Sequence, residues 1–373
     1  RDHATHTPRS GVPTHFATPR VGYYHVISRI AGQQFLVDDR EKDVLMRLMF
    51  NVAVFSGVEI LTFALMDNHF HIFVKVPRAR EVDDEELVAK MRVLYGDPKT
   101  DRLLGEWEAW ERRGLGFKAE DTKAALRRRM FDLSQFCKTL KETYSMSYNL
   151  RHAHVGTIWG SRFKSILLSP DYQTLMTVGS YIDLNPVRAE IVEDPGAYRW
   201  SVYGTAVRGN ALARNGLCAL VAAAYSRREV SFRNALDVYA SALDGWIETP
   251  APEAPEADIA SSEGQGKKQP EKEEELRKPA GRPVFIPEKV EADIRQGAKL
   301  TLFAMLRCKV RYFSHGLALG PLSFVRHVIE TSTSKKDPSR PWGCCEDVEL
   351  YNARWLRGED KISVPKRGKR RVD

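Results

Sequence analysis

The stretch from Val58 to Val76 leaves the chain few options. Val58–Met66 and His69–Val76 are short runs rich in β-branched and aromatic residues, parted by Asp67-Asn68 and bounded by Gly57 and Pro77, the pattern of a β-hairpin. Upstream, Gly22–Arg29 (GYYHVISR) has strand composition. Asp38–Val54 sets Val44, Leu45, Leu48 and Met49 at helical spacing behind an acidic first turn. The chain up to Pro77 therefore reads β-α-β-β. From Arg80 to Glu142 it is charged and mostly helical, broken at Gly96-Asp97-Pro98 and at Gly114–Gly116, and Met130–Tyr144 forms an amphipathic helix. A loop rich in His and Gly follows over Arg151–Gly160, then a strand candidate at Arg162–Leu168, then a helix from about Pro170 to Asn185, stopped by Pro186. This predicts an α+β fold with a mainly antiparallel sheet rather than a repeating βαβ wind.

A chain of 373 residues with 43% hydrophobic side chains can bury a sizeable core, and its length points to two domains. The division is predicted over Thr249–Pro283, where Pro, Glu, Ser, Gly and Lys replace large apolar residues. Such a stretch cannot offset its ordering entropy by burial and reads as a disordered linker. The expected layout is a flexible N-terminus over 1–20, a main domain over 21–248 with a helical insertion at about 81–121, the linker, and a basic, mainly helical C-terminal domain over 284–373.

The formal charge is +8, and residues 284–373 carry 18 Lys and Arg against 11 Asp and Glu, ending in Lys366, Arg367, Lys369, Arg370 and Arg371. A basic region of this kind attracts phosphate backbones through counterion release, although a basic tail also serves solubility alone. The five cysteines (137, 218, 308, 344 and 345) form neither a disulfide framework nor a zinc-finger spacing. With no apolar leader and no run long enough to span a bilayer, a cytoplasmic, nucleoid-associated protein with no membrane partner is expected.

The most informative local feature is Asn68-His69-Phe70-His71-Ile72-Phe73-Val74. Side chains alternate on a strand, so His69 and His71 share one face while Phe70, Ile72, Val74 and Val76 take the other and pack under helices. Two imidazoles on a rigid strand can start a metal site, but H-x-H also arises by chance. A second pair, His152 and His154, lies in the loop without strand patterning and reads as surface or DNA-proximal polarity. Further downstream, Tyr181 and Asn185 fall four residues apart in YIDLNPVR, on one helical face. Laid against His69 and His71, that face would bring Asn185 as a third ligand and Tyr181 as a nucleophile. The set suits attack on a phosphodiester. A half-buried helix aromatic is the plainer reading of Tyr181.

Five blocks in order, YHVISR (24–29), FALMDNHFHIFV (63–74), GSRFKSILL (160–168), YIDLNPVRAEIV (181–192) and YRWSVYG (198–204), resemble the REP-associated tyrosine transposases, single-tyrosine relatives within the HUH endonucleases. The resemblance spans roughly residues 20–205. It implies a ferredoxin-like antiparallel sheet with helices, the HUH endonuclease fold, with His69 and His71 as the HUH pair, Tyr181 as nucleophile, Asn185 as the polar third ligand, and Mg²⁺ or Mn²⁺ as the ion. The implied activity is cleavage of single-stranded DNA near hairpins or palindromic repeats, through a 5′-phosphotyrosine link and a free 3′-OH. The insertion at about 81–121 and the domain over 284–373 depart from the commoner pattern.

Arg162, Lys164 and Arg188 are candidate phosphate-binding residues. Asp67 and Asn68 read as turn formers rather than ligands, with a bond from either to an imidazole N–H left open, and His25 as a strand histidine with a structural partner. Trp159 and Phe163 suit either base stacking or the core, and Trp200 suits packing. The C-terminal domain, with helical patterning over Pro287–Val310 and Pro321–Ile329, fits a DNA-binding or an interaction module, and Cys308, His315, Cys344 and Cys345 match no usual zinc spacing. The sequence allows a monomer or a homodimer. The expected function is a metal-dependent single-stranded DNA strand transferase; the alternatives are a non-catalytic DNA- or RNA-hairpin binder and, behind it, a zinc hydrolase.

Overall fold

The computed structural model describes residues 21–248, 313–314, 316–331, 343–344 and 350–352. The N-terminal segment 1–20, the linker 249–283, the helical patterning over 287–310, His315, the cysteines at 308 and 345 and the terminal basic run all lie outside the described residues. Cys344 is placed by its backbone alone.

The elements follow from local signals. Strand β1 (Gly22–Arg29) leads into helix α1 (Asp39–Ser56), whose first turn is closed by Asp38 accepting from the Glu41 N–H at 2.8 Å, and whose end is set by Gly57 at φ 69°. Strands β2 (Glu59–Leu65) and β3 (His69–Val76) form the expected hairpin. Helices α2 (Asp84–Tyr95), α3 (Asp97–Arg112) and α4 (Gly116–Arg127) then fold around a small core of their own, with Phe55, Leu87, Met91 and Trp107 among its members. Helix α5 (Leu133–His152) runs two turns past the predicted end, so His152 is helical. Strand β4 (Lys164–Leu168), helix α6 (Tyr172–Asp183), the single turn α7 (Asn185–Arg188) and helices α8 (Val202–Val207), α9 (Ala211–Ala224) and α10 (Phe232–Glu248) complete the main body.

The sheet has the order β2-β3-β1-β4-β5-β7-β6. Its first four strands are antiparallel, as predicted, with β1 in the centre between β3 and β4. The described residues of the segment 284–373 add strands to this sheet as well as a helix. β5 (Ala318–Gly320) pairs in parallel with β4 and is followed by β6 (Gly343–Cys344) and β7 (Tyr351–Asn352), and the helix Leu322–Thr331 packs beside them through Val325, Val328 and Ile329. The physical reason is that β4 has an open edge on the side away from β1, and the backbone of Leu317–Leu319 satisfies it: the N–H groups of Leu167 and Ser169 donate to Leu317 and Leu319 carbonyls at 3.0 Å.

One sheet face carries Val26, Phe63, Phe70 and Ile72 beneath α1 and α5, with Phe50 edge-on to Phe63 and Trp159 wedged between Phe70 and Tyr144. Glu41, buried in α1, ties the two helices together by accepting from Arg151, His152 and Tyr144 of α5. The other face is covered by α6 and α9. Among the described residues, no helix is long and apolar enough to cross a membrane.

Helix α9 lies so close to β2 that a Cβ on Gly216 would stand 2.4 Å from the Ile60 carbonyl oxygen. Backbone cannot yield as a flexible side chain does. Gly216→Ala is therefore expected to destabilise the fold by about 1–3 kcal/mol, read as a lower midpoint in urea; an unchanged midpoint would show that the helix can lift off the sheet at no cost.

Candidate active site

The register of β1 against β3 decides which side chains meet. His69 pairs with Arg29, His71 with Ile27 and Phe73 with His25, and Ile27 is flanked on its other side by Lys164 of β4. Directly paired residues project to the same face. His25, Arg29, His69, His71 and Lys164 therefore share one side of the sheet, and His25 lies diagonally next to His71. Arg29, Lys164 and Arg162, the last placed just ahead of β4, are exposed.

The three imidazoles are joined by a chain of hydrogen bonds. His25 Nδ1 lies 2.7 Å from the Phe313 carbonyl oxygen, and His25 Nε2 lies 2.9 Å from His71 Nδ1. A carbonyl only accepts, so His25 Nδ1 donates; a neutral His25 then offers a lone pair at Nε2, and His71 Nδ1 donates to it. His71 is left with a lone pair on Nε2. His69 Nδ1 meets Asn68 Oδ1 at 2.6 Å, and the Asn68 amide is oriented by donating Nδ2–H to the Gln33 carbonyl at 3.3 Å. His69 too is left with its Nε2 lone pair.

Burial keeps these rings neutral. Desolvation holds His25 and His69 down at about pH 4, helped by the Arg188 charge at both and by Arg29 at His69. His71, 3% exposed, is held well below the ordinary value by burial and by its two histidine neighbours.

Tyr181 comes from the opposite layer. Asp171 caps α6 by accepting from the Thr174 N–H at 2.9 Å, and the far end is anchored by Asp183, whose buried carboxylate accepts from Thr62 at 2.7 Å, Tyr239 at 2.6 Å and the Tyr203 N–H at 3.0 Å. Two residues before this anchor, Tyr181 is 5% exposed, with its ring 5.9 Å from that of His71 and 6.0 Å from that of His25. Phe313 lies against it at 4.9 Å, and the Arg188 guanidinium stands over its face at 3.9 Å from the centroid.

Asn185 is not placed as one uninterrupted helix would place it. The helix ends at Asp183, and Asn185 opens the next turn, where Pro186 needs no N–H partner. The Asn185 amide donates to the Tyr181 and Ile182 carbonyls at 3.2 Å, closing the end of α6, and its Oδ1 accepts from Arg188 at 2.6 Å. Arg188 also donates to the Tyr181 carbonyl and is 6% exposed, so it is built into the site rather than held out from the surface. His152 stacks on Tyr148 and bonds Glu41, and Trp159 and Trp200 are buried with their indole N–H groups on Lys141 O and Asp43. All three serve packing.

Among the described residues, no group of three or more His, Cys, Asp or Glu side chains forms a ready-made metal cluster. The donors available are two neutral imidazoles, His69 and His71, with ring centroids 5.1 Å apart and Nε2 lone pairs left over, and the Asn185 amide oxygen, which has two lone pairs of which Arg188 uses one. That set fits a divalent ion completed by oxygen ligands from substrate or water. Sequence reasoning missed His25 as a partner of His71, the alignment of Arg29 with His69, and Phe313. The period-2 pattern of GYYHVISR could have placed His25 on a histidine-bearing face only if the strand register had been known.

No protein-family model matches the chain, and no curated protein matches it. Among solved structures it is similar to a REP-associated tyrosine transposase bound to a REP hairpin, over 50% of this chain and 80% of that chain, at 12% identity and a TM-score of 0.31. A likeness at that level fixes neither family nor chemistry.

The buried imidazoles have a consequence for stability. The folded metal-free chain leaves His25 and His69 unprotonated down to about pH 4, while the unfolded chain protonates them near 6.5. The unfolded state thus binds more protons between those values, and stability falls as pH drops through that window. The urea midpoint is expected to fall between pH 7.5 and 5, and to fall less in His25→Phe; equal losses in the two proteins would contradict the assignment.

Proposed function

We propose that the chain is a metal-dependent single-stranded DNA endonuclease and strand transferase, acting at hairpins or palindromic repeats through a covalent 5′-phosphotyrosine on Tyr181. The observation that carries this reading is the placement of the Tyr181 ring about 6 Å from the rings of His71 and His25, from elements far apart in sequence. A tyrosine meant only for packing has no need of a neutral imidazole with an unused lone pair, that of His71, beside it.

In this reading His69 and His71 hold Mg²⁺ or Mn²⁺ with Asn185 as the third protein ligand, and the ion, when bound, polarises the scissile phosphate and offsets the charge that develops there. The chain's own groups do the rest. The phenolic oxygen of Tyr181 attacks phosphorus and gives up its proton; the new O–P bond forms as the P–O3′ bond breaks, and the leaving 3′ oxygen takes a proton from solvent. Rejoining is the reverse, with the 3′-OH as nucleophile, and needs no external energy source. Arg188, bonded to Asn185 and stacked on Tyr181, keeps the phenol in line and puts a fixed cation beside the transferring phosphoryl group. Arg29 and Lys164 lie along the same side of the sheet, with the exposed Arg162 just ahead of β4, and these cations suit the flanking phosphates of a single strand.

The test is to mix the full chain with a labelled hairpin oligonucleotide bearing single-stranded flanks and Mn²⁺, then look for a covalent adduct on a denaturing gel. An adduct is expected from the wild type and none from Tyr181→Phe, which keeps hairpin binding. An adduct retained by Tyr181→Phe overturns the nucleophile; binding with no adduct and no metal dependence leaves only a hairpin binder; cleavage without an adduct points to a water-using hydrolase.

A further inference from the structure

We propose that His25 is a positioning residue for His71: held by the Phe313 backbone carbonyl, it fixes the His71 tautomer that leaves Nε2 open to a metal. This rests on the reading of His69 and His71 as metal ligands, and it adds a residue and a distant backbone group to that site.

The geometry is specific. His25 and His71 are buried, 0% and 3% exposed, so water does not compete for their nitrogens. The two rings are stacked with centroids 5.1 Å apart and joined by a single N–H at 2.9 Å. One such contact needs one donor and one acceptor. The direction is set at the far end, where the Phe313 carbonyl, 2.7 Å from His25 Nδ1, can only accept. The proton on His71 is thereby confined to Nδ1. A metal-binding histidine ordinarily donates its other ring N–H to a carboxylate or carbonyl, which orients the ring and raises its basicity. For His69 that acceptor is Asn68 Oδ1; for His71 it is another imidazole, itself braced by a carbonyl 288 residues further along the chain. A bulky apolar residue at position 25 would fill the space and leave His71 Nδ1 without an acceptor.

Two measurements on the full chain test this. With histidine-selective ¹⁵N labelling, long-range ¹H–¹⁵N spectra of the metal-free wild type report the tautomer of each ring; His71 is expected to carry its proton on Nδ1 and His25 on Nδ1. Mn²⁺ titrations followed by the EPR signal of the free ion then compare three chains. His25→Phe is expected to bind about 10-fold or more weakly, and His25→Gln, whose amide can accept from His71 and donate to Phe313, to recover most of the loss. A wild-type His71 protonated on Nε2 overturns the proposal, as does a His25→Phe chain that binds Mn²⁺ as tightly as wild type. Failure of the underlying metal reading looks different: the wild type then takes up no Mn²⁺ whatever its tautomers, and the positioning role falls with it.

Discussion

The pairing of β1 with β3 is the constraint on which the rest depends. Because side chains alternate along a strand, a slip of one residue would turn His25 and Arg29 to the face beneath α1 and α5 and bring Val26 and Ser28 to the histidines. The register is pinned from both sides. On the face beneath α1 and α5 Val26 and Ile72 pair and fill the core; on the other, the His25–His71 bond locks the same alignment with a polar contact that one arrangement satisfies. The core and the site thus specify the same sheet, and neither could be re-registered without losing the other.

Against that sheet, Tyr181 is located by a buried carboxylate. Asp183 is fully buried, and burial raises its pKa more than the hydrogen bonds from Tyr239, the Tyr203 N–H, Thr62 and Ser201 lower it. Its partners come from β2, α10 and the first turn of α8, so the C-terminal end of α6 is tied to three neighbours at once. At the α6–α9 contact a Cβ on Gly179 would meet Leu220 at 2.9 Å, so the absence of a side chain there lets α9 approach. The phenol is presented from a rigid element, which the proposed attack on a phosphate would require.

Much of this was legible in the sequence where the signal is local. The hairpin, the alternation that separates His69 and His71 from Phe70 and Ile72, and the helix bearing Tyr181 are all short-range patterns. What stayed hidden was long-range. His25 gives no sign that its partner is His71, because that depends on register; the Phe313 carbonyl lies far along the chain and its residue type is irrelevant to the bond it makes. Asn185 was read as sharing a helical face with Tyr181, but Pro186 divides the helix and turns the Asn185 amide back onto the carbonyls it caps. Composition likewise does not register that three residues, Ala318–Gly320, suffice to extend an open sheet edge.

The central claim is that the two strand histidines present their Nε2 lone pairs to one ion. Pulsed EPR of Mn²⁺ bound to the full chain, labelled with ¹⁵N-histidine, reads this directly. Couplings to two histidine nitrogens are predicted, with one lost in His69→Ala and one in His71→Ala. A bound manganese coupled only to water protons, in the wild type, would contradict it.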